Sequence, residues 1–152
     1  MAALGRATSG VDYLDAVQRR HAHTRRLTTF FESYDLLLTP TLATPPPKIG
    51  EFDLPVALER SSDVLIMTRT ARLLRYTTIV DDTVDENLGW VPYTQLANLT
   101  GRPAISLPLH WTAPGLPLGV QFVAPLEGES LLIRLAAQLE QALPWADRVA
   151  PS

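Results

Sequence analysis

The first part of the chain carries an apolar stripe with helical spacing. Apolar side chains recur along one face from Val11 to Val17 and again from Leu27 to Phe31, with a polar stretch between them. Ser9 and Asp12 have the spacing of a capping box, in which Ser9 is the N-cap. The pattern therefore predicts a long helix over residues 11–33.

The polar middle of this helix reads RRHAHTRR. A group of arginines can bind phosphate, but here the basic residues wrap around the helix and no aromatic residue lies between them. A solvated helix face fits this distribution better than a phosphate-binding patch. His21 and His23 do not share a helix face, so they make a poor metal pair.

A short apolar run follows the predicted helix. Leu36–Leu38 stand together in DLLLTP, between the helix end and Pro40. A short continuous run of this kind predicts a strand that is buried on both faces. Three consecutive prolines, Pro45, Pro46 and Pro47, then predict an extended loop, because proline fixes its own φ and restricts the residue before it.

The middle of the chain has a weaker pattern. Residues 54–76 are predicted to contain a second helix, with Val64, Leu65 and Met67 among its apolar positions. An acidic cluster follows, which lacks the alternation and the glycine of a calcium-binding EF-hand loop. We predict a solvated turn at this cluster, which consists of Asp81, Asp82, Asp85 and Glu86.

The last third alternates between helix and strand signals. YTQLANLTGRP predicts a short helix that ends near Gly101, and AISLPL and LGVQFVA predict two strands joined by the turn-rich HWTAPGLP. A final helix over Glu129–Leu143 ends at Pro144. Its apolar face is predicted to comprise Leu131, Leu132, Leu135, Leu139, Ala142 and Leu143.

This order of elements predicts a mixed α/β fold in which helices cover a small β-sheet. The chain shows no repeat and no linker, so we expect residues 1–152 to form a single unit without a separate second domain.

Composition excludes several classes of protein. The chain has no cysteine, which excludes disulfides, thiolate nucleophiles and cysteine-based zinc sites. Its formal net charge of -3 disfavours a nucleic-acid partner, and no apolar run approaches the ~20 residues of a membrane helix. We therefore expect a cytoplasmic protein with no nucleic-acid or membrane partner.

A search for catalytic motifs finds none. The chain has no GxSxG, HExxH, P-loop or dinucleotide-binding glycine pattern, and no serine has a lysine at SxxK spacing. Lys48 follows three prolines, which is typical of a surface loop rather than a buried base. His110 is a possible general base without an identifiable partner, and a structural histidine is the simpler interpretation.

Four ordered segments nevertheless resemble one family. VDYLDAVQRR, YDLLLTPTLATPPPKIGEFD, NLTGRPAISLPL and GLPLGVQFVAPLEGESLLIRLAAQLEQALPW are similar, in order and spacing, to the C-terminal part of the amidase signature family. The resemblance covers nearly the whole chain except the stretch around residues 54–90. It implies that the predicted small sheet is part of the larger amidase-signature α/β/α fold.

The resemblance also implies a reaction. In this family a serine attacks the carbonyl of an amide, assisted by a second serine in a cis peptide and by a lysine, while backbone N–H groups hold the oxyanion. These catalytic groups belong to a Gly/Ser-rich segment of the N-terminal two-thirds, which this sequence does not contain. No catalytic residue is therefore carried over, neither Lys48 nor any of Ser9, Ser33, Ser61, Ser62, Ser106 and Ser130.

The resemblance does imply part of a substrate pocket, in the segment before NLTG. The candidates for pocket lining are Trp90, Tyr93, Thr94, Gln95 and Asn98. Trp90 and Tyr93 also suit simple core packing, and Asn98 also suits a hydrogen bond at a helix end. Gln121, in the centre of a predicted strand, is interpreted as a buried amide with backbone partners.

The sequence thus predicts the C-terminal segment of an amidase, inactive alone, without cofactor or metal. Its expected partners are the N-terminal part of the enzyme and, in the complete enzyme, a small-molecule amide; a homo-oligomer is also possible. Two alternatives remain open: a free-standing scaffold or interaction module, and the amidase subunit of a tRNA-dependent amidotransferase.

Overall fold

The computed structural model describes residues 8–50 and 88–151. These ranges contain three helices and three strands, as the mixed α/β prediction requires. The predicted helix over 54–76 and the acidic cluster lie outside the described residues. In chain order the elements are α1 (Gly10–Phe31), β1 (Leu37–Pro40), α2 (Thr94–Thr100), β2 (Ala104–Trp111), β3 (Pro117–Val123) and α3 (Glu129–Ala142).

The chain divides into two compact units. One comprises residues 1–19 and 47–89, and the other comprises residues 20–46 and 90–152. The second unit contains the whole sheet, α2 and α3. Much of the first unit lies outside the described residues, so the expected single domain stays a prediction.

Helix α1 begins with the predicted capping box. The Ser9 hydroxyl accepts a hydrogen bond from the Asp12 N–H at 3.1 Å, and the Asp12 carboxylate accepts one from the Ser9 N–H at 3.3 Å. These two bonds satisfy backbone donors that have no partner within the helix. Its basic middle is solvated as predicted, because the side chains of the RRHAHTRR arginines and histidines are exposed.

The three strands form one antiparallel sheet in the order β1-β3-β2. The predicted turn is shorter than expected, because β2 continues through His110 and Trp111 before the chain reverses between Thr112 and Leu116. The β2–β3 register is irregular between Leu107 and His110. This irregularity contains Pro108, which has no N–H to donate to a neighbouring strand.

The prediction that Leu36–Leu38 form a strand buried on both faces is wrong. Leu37–Pro40 form the strand, and the Leu38 side chain is 61% exposed. Leu38 is exposed because β1 is an edge strand and α3 packs against β2, the strand at the other edge of the sheet. A continuous apolar run identifies a strand but does not show how many of its faces are covered.

The core lies between the sheet and α3. Leu107, Phe122, Ala124 and Leu132 form a buried cluster, against which the α3 side chains of Leu135, Ala136 and Leu139 pack. The predicted apolar face of α3 is therefore confirmed in its middle but not at its end, where Ala142 and Leu143 are exposed. Within the described ranges, no helix is both long and apolar enough to cross a membrane.

Candidate functional site

Part of one face of the sheet is polar. Thr39, Gln121 and Ser106 are register partners across the three strands, and paired residues of an antiparallel sheet project to the same side. Two positions further along, the Thr41 N–H donates to the Gly119 carbonyl oxygen at 3.0 Å. We call Thr39, Thr41, Ser106, Gly119 and Gln121 the polar face.

Two hydroxyl groups of the polar face meet above the central strand. The Thr41 Oγ1 and Ser106 Oγ atoms are 2.5 Å apart, although they come from opposite sides of β3. This contact needs a residue without a side chain between them. A β carbon at Gly119 would lie 2.5 Å from Ser106 Oγ and 2.6 Å from Thr41 Oγ1, which no side chain can occupy without displacing the pair.

Gln121 connects the polar face to the segment before α2. Its side chain is 4% exposed, and its Nε2 donates to the Tyr93 carbonyl oxygen at 3.3 Å and to Thr39 Oγ1 at 3.4 Å. The interpretation of Gln121 as a buried amide with a backbone partner is therefore confirmed, with the Thr39 hydroxyl as a second partner. A buried amide without such partners would destabilise the fold.

The predicted pocket residues lie at and before α2. The Trp90 carbonyl oxygen accepts a hydrogen bond from the Ala43 N–H at 3.0 Å, in the loop that follows β1. Tyr93 directly precedes α2, and its side chain is 38% exposed. This segment is therefore fixed at two points, by the loop after β1 and by Gln121 of the central strand.

The other three candidates lie within α2. The Thr94 hydroxyl donates to the Val91 carbonyl oxygen at 3.0 Å, and Asn98 Nδ2 donates to the Thr94 carbonyl oxygen at 3.0 Å. Asn98 is exposed and makes the local helix bond that was its alternative interpretation. Gln95 is half-buried. The assignment of these residues to a substrate pocket stays a prediction.

The end of α2 sets the direction of the chain into β2. Gly101 adopts the left-handed conformation, with φ of 68°, and its N–H donates to the Ala97 carbonyl oxygen at 2.9 Å. Glycine adopts this conformation without the steric cost that a β carbon would cause. The predicted helix end at Gly101 is confirmed.

The polar face offers neutral hydrogen-bonding groups. Hydroxyls and a carboxamide can bind an amide, but the Ser106 hydroxyl contacts another hydroxyl rather than a base that could take its proton. His110 is exposed and pairs in register with Leu118 of β3. Across residues 8–50 and 88–151, no group of three or more acidic or histidine side chains is placed to hold a metal ion.

Sequence reasoning missed four members of the polar face, namely Thr39, Thr41, Ser106 and Gly119. The signal was present as a period of two, since Thr39 and Thr41 are two residues apart and so are Gly119 and Gln121. Only the strand register shows that these pairs lie side by side.

A second concave surface lies away from the polar face. A cleft of about 190 Å³ is bordered by Leu109 and Trp111 of β2 and by Leu143 after α3. The Arg148 guanidinium carbon lies 4.1 Å from the centre of the Trp111 ring. The cleft borders none of the pocket candidates.

Comparison with known sequences gives a consistent result. Residues 1–133 match the family model described as Amidase. The chain is 39% identical over 133 residues to AmiC of Mycobacterium leprae, a protein named as an amidase, and the match covers 86% of this chain and 23% of that protein. It is 37% identical over 116 residues to 6-aminohexanoate-cyclic-dimer hydrolase of a Pseudomonas strain, where the match covers 76% of this chain and 20% of that protein.

Solved structures agree with the sequences. 6-Aminohexanoate cyclic dimer hydrolase complexed with substrate superposes with a TM-score of 0.71 and 30% identity, covering 91% of this chain and 26% of that chain. A glutamyl-tRNA(Gln) amidotransferase subunit of Thermotoga maritima superposes with a TM-score of 0.58 and 26% identity, covering 91% of this chain and 24% of that chain. The chain thus spans about a quarter of the length of the proteins it matches.

Proposed function

This chain belongs to the amidase family, and from that premise we propose that it is the C-terminal part of an enzyme that hydrolyses a carboxylic amide to an acid and an amine or ammonia. The observation that carries the proposal is the superposition of nearly the whole chain on one quarter of an amide hydrolase. The serine nucleophile, its partner serine and the lysine would then come from a part of the enzyme outside this sequence.

We assign the chain a binding role rather than a chemical one. The polar face supports this assignment, because its hydroxyls and carboxamide can donate and accept hydrogen bonds but include no base to activate a nucleophile. In the complete enzyme, Trp90, Tyr93, Thr94, Gln95 and Asn98 would border the substrate. Gln121 would act as a positioning residue, since it holds the Tyr93 carbonyl oxygen.

The physical reason for such a division is that amide hydrolysis needs a substrate held in one orientation against the nucleophile. Fixing the substrate in a reactive geometry supplies a large part of the rate increase in enzymes. The segment before α2, held at Trp90 by the loop after β1 and at Tyr93 by Gln121 of the central strand, would serve as one wall of such a site. A cytoplasmic location and a homo-oligomer stay predictions.

The amidase subunit of a tRNA-dependent amidotransferase is the second candidate function. The superposition on the Thermotoga maritima amidotransferase subunit supports it. The higher TM-score and identity to 6-aminohexanoate cyclic dimer hydrolase favour the standalone amidase.

The proposal is tested by an assay of the purified 152-residue chain. We expect no hydrolysis of simple aliphatic and aryl amides and no labelling by a serine-directed phosphonate. The Ser106 hydroxyl contacts the Thr41 hydroxyl rather than a base, and the Ser9 hydroxyl contacts the exposed Asp12 carboxylate of its own capping box. 6-Aminohexanoate-cyclic-dimer hydrolase with its own substrate is the positive control. Hydrolysis that is lost in Ser106→Ala, or stoichiometric labelling of one serine, would show that the chain is itself a catalyst.

A further inference from the structure

Arg102 is a buried arginine at the junction between α2 and β2. It follows the left-handed Gly101, and its N–H donates to the Ala97 carbonyl oxygen at 3.2 Å. The residue is only 7% exposed. Arginine is almost never buried to this extent unless its charge is paired.

The guanidinium is held against α1 by two contacts. Its Nη2 donates to Thr28 Oγ1 at 2.7 Å, and its carbon atom lies 5.1 Å from the centre of the Phe31 ring. The Thr28 hydroxyl in turn donates to the Thr24 carbonyl oxygen at 3.0 Å. Because its hydrogen is used in that bond, the Thr28 oxygen presents a lone pair to the arginine and fixes the orientation of the guanidinium.

These contacts leave the charge without a counter-ion. A guanidinium has five N–H donors, and Arg102 uses one of them in a side-chain hydrogen bond. Its Nε is buried and has no partner. The ion pair found among residues 8–50 and 88–151 joins Arg19 to Asp15, so no described carboxylate neutralises Arg102.

The guanidinium N–H groups of Arg102 that have no partner indicate what kind of ligand could bind. Nη1 has no hydrogen-bond partner among the described residues and, unlike Nε, is not completely buried, so it retains some contact with the surface. A planar guanidinium matches a carboxylate, which can accept two parallel N–H bonds. Partial burial strengthens such a pair, because water screens the charges less than at an open surface.

We propose that Arg102, oriented by Thr28 and Phe31, is a carboxylate-binding site of this chain. The inference goes beyond the proposed amidase function and does not depend on it. The carboxylate would belong either to a free acid or to an acidic side chain of a protein segment that packs on this edge.

The test uses the 152-residue chain uniformly labelled with ¹⁵N at pH 7. Acetate represents a free acid, and the N-methylamide of N-acetylglutamate represents an acidic side chain flanked by backbone. Each is titrated at constant ionic strength against chloride while the Arg102 side-chain resonances are followed by NMR. The variants are Arg102→Gln, Arg102→Lys and Thr28→Val, and Arg134→Gln, which removes an exposed arginine of α3, is the matched control.

We expect a saturable shift of the Arg102 resonances that Arg134→Gln leaves unchanged. In Arg102→Gln the remaining carboxylate-dependent shifts of neighbouring amides should disappear, and in Thr28→Val binding should be about tenfold weaker, because the guanidinium loses its fixed orientation. Arg102→Lys keeps the positive charge and serves as the test if Arg102→Gln does not fold. It should bind the carboxylate less tightly than the unmodified chain.

The two probes distinguish the two sources of the carboxylate. Binding of both supports recognition of an acidic side chain, and binding of acetate alone supports a free acid. Shifts that do not saturate, or that are the same with chloride, would overturn the proposal, as would equal shifts in Arg102→Gln and the unmodified chain.

Discussion

Gln121 Nε2 donates a hydrogen bond to the carbonyl oxygen of Tyr93 at 3.3 Å, so the central strand holds the residue from which α2 begins. The two residues are far apart in sequence, and the bond is one of two that fix the segment before α2. Through this hydrogen bond the polar face contacts Tyr93, one of the predicted pocket residues.

Replacing Gln121 by leucine tests this connection. The Tyr93 carbonyl oxygen would lose its donor in a part-buried contact, and we expect a loss of about 1 kcal/mol of unfolding free energy. Urea unfolding measures the change, and exposed Gln138→Leu on α3 is the matched control, expected within about 0.5 kcal/mol of the unmodified chain. Equal stability of the two variants would contradict a structural role for the bond.

Gly119 is predicted to be intolerant of even one added carbon. In Gly119→Ala the new β carbon would collide with the Thr41 and Ser106 hydroxyls, so the two side chains must move apart. We expect a loss of about 1–3 kcal/mol in unfolding free energy. Gly10→Ala, where nothing lies within 4 Å of the added carbon, should be neutral or slightly stabilising in the same measurement. A neutral Gly119→Ala would mean that the hydroxyl pair is not tightly placed.

Two adjacent residues of α3 separate core packing from helix propensity. Leu132 is 4% exposed within the core cluster, whereas Ile133 is 66% exposed. We expect Leu132→Ala to lower the unfolding free energy by about 2–5 kcal/mol and Ile133→Ala to change it by less than about 0.5 kcal/mol. Similar losses at both positions in urea unfolding would show that α3 packs in a different orientation.

The helix start, helix end and helix face that the sequence predicted correctly are each marked by a few neighbouring residues. Ser9 and Asp12 mark the start of α1 by a bond between residues three apart, and Gly101 marks the end of α2 by its own conformation. The middle of α3 was predictable because Leu132 and Leu139 recur at helical spacing. Each of these signals depends on a few neighbouring residues, so a single sequence contains it.

The features that were missed depend on contacts between distant segments. Leu38 is exposed because β1 is an outer strand, and strand order is not encoded in the run LLL. Thr41 and Ser106 meet because both flank Gly119, which follows from register alone. The burial of Arg102 could not be predicted from the residues around it in sequence, because its side chain contacts Thr28 and Phe31 of α1.

The edge strands of the sheet lead us to expect that the isolated chain associates with itself. β1 and β2 are the two edge strands of the sheet, and Leu38 of β1 is an apolar residue that is 61% exposed. Exposed strand edges with apolar side chains pair readily with other copies. We expect marginal stability with aggregation or concentration-dependent self-association in sedimentation velocity, and less association in Leu38→Lys. A monomer at all concentrations, with a sharp reversible unfolding transition above about 65 °C, would contradict this expectation and favour the free-standing module.

The central claim is that this chain is the C-terminal part of an amide hydrolase, and a chimera tests it most directly. The matched C-terminal segment of 6-aminohexanoate-cyclic-dimer hydrolase is replaced by this chain, and hydrolysis of the cyclic dimer is compared with that of the same enzyme truncated before the segment. Circular dichroism and sedimentation identify folded chimeras. We predict that the truncated enzyme is inactive and that the folded chimera hydrolyses the dimer; a folded chimera no more active than the truncated enzyme would contradict the account.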